Sequence, residues 1–590
     1  MEMKVADVIV KCLEAEGIEY AFGISGSHYL SFFHALKKSS IKYISVKHES
    51  AASLMALSYA RYAQKPALIL GTAGPGALNM LTGIVEMYKS CIPCFVLTPI
   101  APTDLQGKCS LQEDSGYANS HSIQKIMSCM TKRSLLCVSP QNIQEYICDL
   151  FRYCFHGKKG PVHLLVPTNH FEQKIDFTPR NPEQYRTCEE KNIDLDKIDA
   201  VAQELYNSKK PLLFVGQRAW FPNISTAIKE ISGKFNIPVI LSHGAKGLYD
   251  EYADFFGGIL DLYGHRSAEI LARQSDCVVA IGEDFGEFTT IKYEPDLFRN
   301  KLIQLDVDGY DIGRNYPVFM SAAGDLHAML SHLSLKLSEM NTLCFNNSED
   351  FRSFYNNSNS FAIQEMLGAS LPLKPQRIFK VIADLLPEKS AVITDMGTAG
   401  FFTVRYLKTR CGSYSICTGN YTMAQAVAGV IGCKLGKPDN ICIAVCGDGA
   451  FMMNCMEIAT ARQYDIPIIW IVFKDNRYGN VEWAQRVLYN DISFCTELYV
   501  PDLMKLAEAF KVDFFRVDDD STLNKHFSQA IQNYRGKNQS AIIEVLYDTE
   551  ESLPMKPRVV KFIQDICNLS DFKPTPYLMK SLKNLLREKV

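Results

Sequence analysis

Residues 441–464 read ICIAVCGDGAFMMNCMEIATARQY, and this stretch decides the fold. Residues 441–446 are a short, almost wholly apolar run of the kind that forms a buried parallel strand. Residues 450–464 then set Phe451, Cys455, Ile458, Ala459 and Arg462 at helical spacing, so Gly447-Asp448-Gly449 falls at a strand-to-helix turn. The next apolar run, 468–473 (IIWIVF), predicts the neighbouring parallel strand, which brings Asp475 and Asn476 to the same carboxyl edge as Asp448. At such an edge glycine lets the backbone approach phosphate oxygens and the helix N-terminus offers N–H groups. A hard cation held by one or two side-chain oxygens balances the remaining charge. The turn reads as a site for a metal-bound diphosphate, and Asp448 with Asp475 or Asn476 suits magnesium better than zinc.

The strand-then-helix rhythm runs through the chain three times. Strands are expected first at 43–48, 67–72, 94–100 and 162–166, with a polar linker over 169–194. A second set, at 211–216, 238–242, 277–282 and 302–306, ends near Phe345, and 346–360 (NNSEDFRSFYNNSNS) reads as another linker. The third set contains the opening motif and runs to about residue 550. The fold class is therefore α/β, with three doubly wound parallel-sheet domains over 1–170, 191–345 and 361–550. Residues 551–590 follow as a helical extension, with Met579, Leu582, Leu585 and Leu586 at helical spacing.

Composition excludes several classes. With 590 residues, 47% hydrophobic and 22% charged content and a net charge of −3, the chain has no basic excess for nucleic acid. No apolar run approaches the ~18 residues of a membrane span, and the first residues (MEMKVADVIVKCLEAEG) predict an acidic amphipathic helix rather than a leader. The 19 cysteines are scattered, many inside apolar runs, and Cys91/Cys94 lacks a second pair for zinc, so they read as reduced core residues of a cytoplasmic protein.

GDGAFMMNCMEIATA, followed after a spacer by FKDNRYGN, resembles the thiamine-diphosphate signature of the acetolactate synthase and 2-oxo-acid decarboxylase superfamily. The resemblance implies pyrimidine-binding, central and diphosphate-binding domains, with thiamine diphosphate and magnesium as cofactors. It also implies that the Asp of GDG and a residue 27 positions later bind the metal, with a backbone carbonyl two positions further on. That count lands on Asp475, with Asn476 one step beyond; Asp475 with the Arg477 carbonyl is the favoured set. Gly447, Gly449, Ala450, Tyr478, Gly479 and Val481 belong to the same implied cofactor contacts.

Three further segments carry the likeness. Glu49 follows a strand candidate (YISVKH) and opens the Ala-rich stretch ESAASLMALSYARYA. The family's matching glutamate exchanges a proton with the aminopyrimidine ring and so activates the cofactor, which requires a carboxyl in a dry site. Gly71 to Asn79 (GTAGPGALN) resembles the family's Ser-Gly-Pro-Gly-Ala-x-Asn turn, adding Thr72, Gly74, Pro75 and Asn79. In TGNYTMAQAVAGVIG, Met423 matches the residue that props the cofactor into its bent form, and the Tyr421 carbonyl matches the acceptor of the pyrimidine amino group. Tyr421 stands where the family has glycine. Gly397 and Thr398, after the strand candidate SAVITD, resemble the turn against the diphosphate.

The resemblance also implies a homodimer or homotetramer, since Glu49 and the diphosphate domain of one site come from different subunits. The substrates would be a 2-oxo acid, with pyruvate favoured, and a carbonyl acceptor. Decarboxylases of the pyruvate type carry an acid where this chain has Val481, and an adjacent histidine pair that this chain lacks, which points to carboligation. A non-ligating decarboxylase and a silent cofactor-binding assembly partner are the alternatives. Flavin-binding relatives carry Arg-Phe-Asp-Asp-Arg where this chain has Glu283-Asp284-Phe285-Gly286-Glu287, so no flavin is expected. Ser27 and His28, in a loop that faces the cofactor in relatives, and Gln112 and His121, in the next active-site loop region, complete the catalytic candidates.

Overall fold

The computed structural model of the chain describes residues 2–117, 119–186, 193–221, 224–340, 347–368, 370–489, 491–551 and 553–554. Three six-stranded sheets carry it, and every ladder in them is parallel. Their strands are short runs such as ALIL, CVVAI and ICIAVCG, buried nearly throughout, as a sheet covered by helices on both faces demands.

The first sheet is ordered Lys42–Ser45, Tyr20–Gly23, Ala67–Leu70, Cys94–Ile100, Pro161–Pro167, Ser134–Leu136. The third repeats that order with Tyr414–Ile416, Ser390–Thr394, Ile441–Gly447, Ile469–Phe473, Ala541–Val545 and Asp513–Val517. The central sheet differs: Phe256–Leu260, Val239–Ser242, Pro211–Val215, Cys277–Ile281, Lys301–Asp306, Met320–Ala323. Its order reverses between Pro211–Val215 and Cys277–Ile281, which opens a crevice at their carboxyl ends.

The chain divides into two compact units. One comprises Met1–Glu190 with Cys417–Asp439 and Asn454–Pro467; the other comprises Lys191–Ile416, Asn440–Met453 and Ile468–Val590. At the heart of the first, helix Glu49–Ala63 packs along helix Gln425–Gly436. Both are buried on nearly all sides, and the approach is close because one helix offers glycine. A Cβ on Gly432 would lie 1.9 Å from the Met55 carbonyl oxygen.

Four local expectations change. Glu2–Lys4 is a strand paired antiparallel with Lys174–Asp176, so the first helix starts at Val5 and the linker read at 169–194 contains a strand. Within 346–360, Ser348–Ser358 is helical: the Asn347 side chain accepts from the Glu349 and Asp350 N–H groups, and Phe351 and Tyr355, one turn apart, are buried. Polar composition hid a two-residue apolar stripe. The single helix expected after the GDG turn is broken into Asp448–Asn454, a 3₁₀ turn at Cys455–Glu457, and Ile458–Gln463. The Asn454 amide donates to the Ala424 carbonyl at the break (3.3 Å), an interaction that helical periodicity does not anticipate. The helical extension at 551–590, with Met579, Leu582, Leu585 and Leu586, lies almost wholly outside the described residues. Among the described residues no disulfide joins any cysteine, and no helix is long and apolar enough to cross a membrane.

Candidate active site

The structure gathers the predicted residues into two clusters, one in each unit. In the first unit, Glu49 is the first residue of its helix and only 8% exposed. The His48 side chain caps the helix by accepting from Ser50 N–H (3.2 Å). The Glu49 carboxylate accepts from the Asn79 amide at 3.0 Å. Its other oxygen passes over the Gly74-Pro75-Gly76 turn, where a Cβ on Gly76 would come within 3.3 Å of it and 2.9 Å of the Thr72 methyl. Glycine at 76 thus keeps clear of the Thr72 methyl first and of the carboxylate second.

Loop residues close over the same turn. His28 is buried, its Nδ1 3.4 Å from the Thr72 hydroxyl, and burial lowers its pKa, which keeps the ring neutral near pH 7. Ser27 is exposed beside it. Gln112 adopts a left-handed backbone (φ 55°) and its Cβ lies 3.3 Å from the point a Cβ on Gly74 would occupy. His121 is exposed, and its link to the cluster is the electrostatic one it makes with Asp114. Asp114 itself was not foreseen. Fully buried, it accepts from the Gly74 N–H at 3.0 Å, and burial pushes its carboxyl up to about 6. An acid two positions after Gln112 was the only signal, and nothing in the sequence tied it to the glycine turn. In the same unit, Tyr421 takes a left-handed backbone (φ 53°), a region that favours glycine, and Met423 is half-buried two residues on.

The second cluster is built around the opening motif. Asp448 is 1% exposed; one carboxylate oxygen accepts from the N–H groups of Asp475 (3.1 Å) and Asn476 (2.6 Å), the other from Gly449 (2.8 Å). Asp475 accepts from the Tyr547 hydroxyl at 2.8 Å and from Arg477 N–H at 3.3 Å. Burial, and then the neighbouring Asp448 charge, push Asp475 up to about 7, and burial raises Asp448 against the pull of its backbone donors. A buried and a half-buried carboxylate that repel each other are a donor set short of positive charge, which fits a hard divalent cation. Asn476 is exposed, and its backbone carbonyl accepts from Leu498 N–H (2.7 Å). The Arg477 guanidinium is bonded to Glu482 (2.7 Å).

Around the pair the backbone is open. Gly397, at φ 123°, precedes the helix Thr398–Tyr406, and a Cβ there or on Gly447 would meet nothing within 4 Å. A Cβ on Gly479 would sit 2.7 Å from the Asp475 carboxylate and 3.3 Å from the Thr398 hydroxyl. The Tyr478 ring lies against Gly449, Ala450 is buried, and Val481 is half exposed in the first turn of helix Gly479–Leu488. This is a cradle of glycine, N–H groups and carboxylates that fits a metal-bound diphosphate. Tyr547 was missed because it lies 72 residues from Asp475, with no motif to link them.

Comparison with known proteins matches three family models along the chain. They are the thiamine pyrophosphate enzyme N-terminal TPP binding domain over residues 3–123, the central domain over 198–333 and the C-terminal TPP binding domain over 395–545. The chain is 28% identical over 591 residues to a probable acetolactate synthase large subunit of Methanocaldococcus jannaschii, covering 96% of each. It is 27% identical over 564 residues to the acetolactate synthase large subunit of Haemophilus influenzae, covering 94% of this chain and 96% of that one. Against the acetolactate synthase isozyme 2 large subunit of Escherichia coli the identity is 23%, covering 86% and 90%.

Proposed function

We propose, for a chain that belongs to the acetolactate synthase-like thiamine pyrophosphate enzymes, decarboxylation of a 2-oxo acid and joining of the remaining fragment to a second carbonyl compound. Pyruvate is the favoured donor. When bound, thiamine diphosphate supplies the electron sink that lets carbon dioxide leave. The chain's own residues bind and orient it and handle protons.

The observation that carries the reading is the buried Glu49 carboxyl, held by Asn79 above the Gly76 turn. A carboxyl fixed at that helix start is placed to exchange a proton with a ring nitrogen. Asp448 and Asp475, with the Arg477 carbonyl, would hold magnesium. Asp475 is preferred to Asn476 because its carboxylate faces Asp448 electrostatically while the Asn476 side chain is exposed. Among the described residues no three His, Cys, Asp or Glu side chains form a metal cluster, so diphosphate oxygens and water would complete the coordination. Gly397, Thr398, Gly447, Gly449, Ala450, Tyr478 and Gly479 would line the diphosphate, and Thr72, Gly74, Pro75, the Tyr421 carbonyl and Met423 the pyrimidine. Following the family's pattern, Glu49 of one subunit would meet the diphosphate-binding domain of another in a homodimer or homotetramer.

Val481 decides the branch. An apolar side chain, half exposed in the first turn of its helix, offers no proton to convert the fragment into free aldehyde, which leaves a carbonyl acceptor as its partner. His28, beside Thr72, and Gln112, beside Gly74, would serve that acceptor. Flavin is not expected at the central crevice. There Glu283, 1% exposed, fills the space against Gly216, and Arg218 is bound to Asp306 (2.7 Å) and to Asp311. A dinucleotide would meet acids where it needs a free cation.

The test is incubation of the purified enzyme with pyruvate, thiamine diphosphate and magnesium. Acetolactate is the expected product; acetaldehyde as the sole product would move the assignment to a non-ligating decarboxylase.

A further inference from the structure

Among the buried acids that the mechanism above leaves without a role are Glu86 and Glu457. Glu86 and Glu457 are 0% and 1% exposed, and each sits shortly after the glycine turn that follows the third strand of its own sheet, the first sheet for Glu86 and the third for Glu457. Glu86 reaches the loop that follows Tyr414–Ile416, and Glu457 the loop that follows Lys42–Ser45. Glu86 accepts from Gly419 N–H and Asn420 N–H, both at 2.7 Å, through different carboxylate oxygens, and from the Ser90 hydroxyl at 3.0 Å. Glu457 accepts from Lys47 N–H at 2.9 Å and His48 N–H at 3.1 Å through one oxygen, and from the Thr460 hydroxyl at 2.6 Å through the other.

The held loops are the ones that matter. Lys47 and His48 lead directly into Glu49; Gly419 and Asn420 lead directly into Tyr421 and Met423. All these residues lie in the first unit. Burying a carboxylate is costly unless it is fully bonded, and here the bonds go to consecutive backbone N–H groups of cofactor-contact loops. We propose that Glu457 and Glu86 are reciprocal positioning residues, Glu457 aiming the Glu49 carboxyl and Glu86 aiming the Tyr421 carbonyl and Met423 at the bound pyrimidine. This rests on the thiamine diphosphate reading given above.

The bonding patterns make the two acids respond differently to the same change. In Glu457→Gln one amide oxygen can keep both backbone donors while the nitrogen donates to the Thr460 hydroxyl. In Glu86→Gln each end of the amide faces a backbone donor, so one N–H must oppose the amide nitrogen. The readouts are thiamine diphosphate binding by fluorescence titration and proton exchange at its thiazolium carbon in the saturated enzyme, with a thermal melt for each variant. Glu457→Ala should slow exchange about tenfold or more with cofactor affinity within about threefold, and Glu457→Gln should restore it. Glu86→Gln should weaken cofactor binding about tenfold, with a smaller effect on exchange.

If both variants lower the melting temperature yet leave exchange and affinity at wild-type values, the acids are structural joints and the proposal is wrong. Should Glu457→Ala fail to fold, Glu457→Gln in a Thr460→Val background removes the hydroxyl that the amide needs, and slowed exchange is again expected; wild-type exchange there overturns the proposal. A Glu49→Gln enzyme that binds cofactor and exchanges at the wild-type rate would instead overturn the activation reading, which separates the two failures.

Discussion

Gly479→Ala separates backbone preference from site chemistry. Gly479 is the first residue of a helix and has no left-handed backbone, so alanine fits its conformation and should gain up to about 1 kcal/mol of helix stability. The new Cβ, however, would stand 2.7 Å from an Asp475 carboxylate oxygen, well inside contact distance. That same oxygen is bonded to the Tyr547 hydroxyl at 2.8 Å, so the carboxylate cannot turn aside without losing the bond. A hydrogen bond to an ionised group is worth roughly 1.5–3 kcal/mol, which corresponds to roughly 10- to 100-fold weaker magnesium binding. Trp483 lines the pocket beside Asp475 and supplies the signal. Magnesium is titrated in the presence of thiamine diphosphate while tryptophan fluorescence is followed, and melts are recorded in chelator. The expected outcome is a loss of metal affinity with a melting temperature in chelator slightly below wild type, since the helix gain offsets only part of the lost hydrogen bond. Wild-type metal affinity in Gly479→Ala, paired with a loss in Asn476→Ala, would show that Asp475 is not the ligand and that Asn476 is.

Other substitutions probe the remaining parts. Asn79→Ala removes the donor to Glu49 and should slow proton exchange at the thiazolium carbon about tenfold or more, and Asn79→Asp, which sets a second carboxylate against Glu49, should be worse. Tyr421→Gly removes a side chain from a left-handed position that costs about 1–2 kcal/mol, so urea denaturation should show stability unchanged to within about 1 kcal/mol; a loss above about 2 kcal/mol would mean that contacts of the tyrosine outweigh the strain. Asp114 has a folded pKa of about 6 against an ordinary 3.8, so the folded state binds this proton more tightly than the unfolded chain does. Its contribution is therefore greatest below about pH 4 and falls by about 3 kcal/mol as the pH rises through 6. Asp114→Asn should flatten that decline in a series of denaturation curves between pH 4 and 7.

The strands were legible because buried parallel strands leave a plain mark: a run such as ICIAVC or CVVAI has no polar residue to turn to solvent, and the carboxyl end announces itself in glycine and acid. Asp448 and Asp475 could be found on the same ground, since each follows a strand end within two residues, whereas Glu49 and Asn79 needed the family's motifs. Where reading failed, the determining contact lay elsewhere in the chain. The helix after the GDG turn breaks at Asn454, which bonds Ala424; the supposed linker before the third domain is a helix because Phe351 and Tyr355 have a core to enter.

Such distant contacts also explain what the motifs leave out. A motif names the atoms that touch a ligand, but those atoms need their backbone held, and the groups that hold it come from wherever the fold brings a partner. Tyr547 holds Asp475 across 72 residues, Asp114 holds Gly74 across 40, and Glu457 holds Lys47 across 410. Glu86 and Glu457 each follow a glycine turn at a strand end, and each accepts from two consecutive backbone N–H groups of a distant loop. Glu457 lies inside the quoted GDG signature, yet nothing in the sequence marks what either acid holds: Gly419 is 333 residues from Glu86, and Lys47 is 410 residues from Glu457.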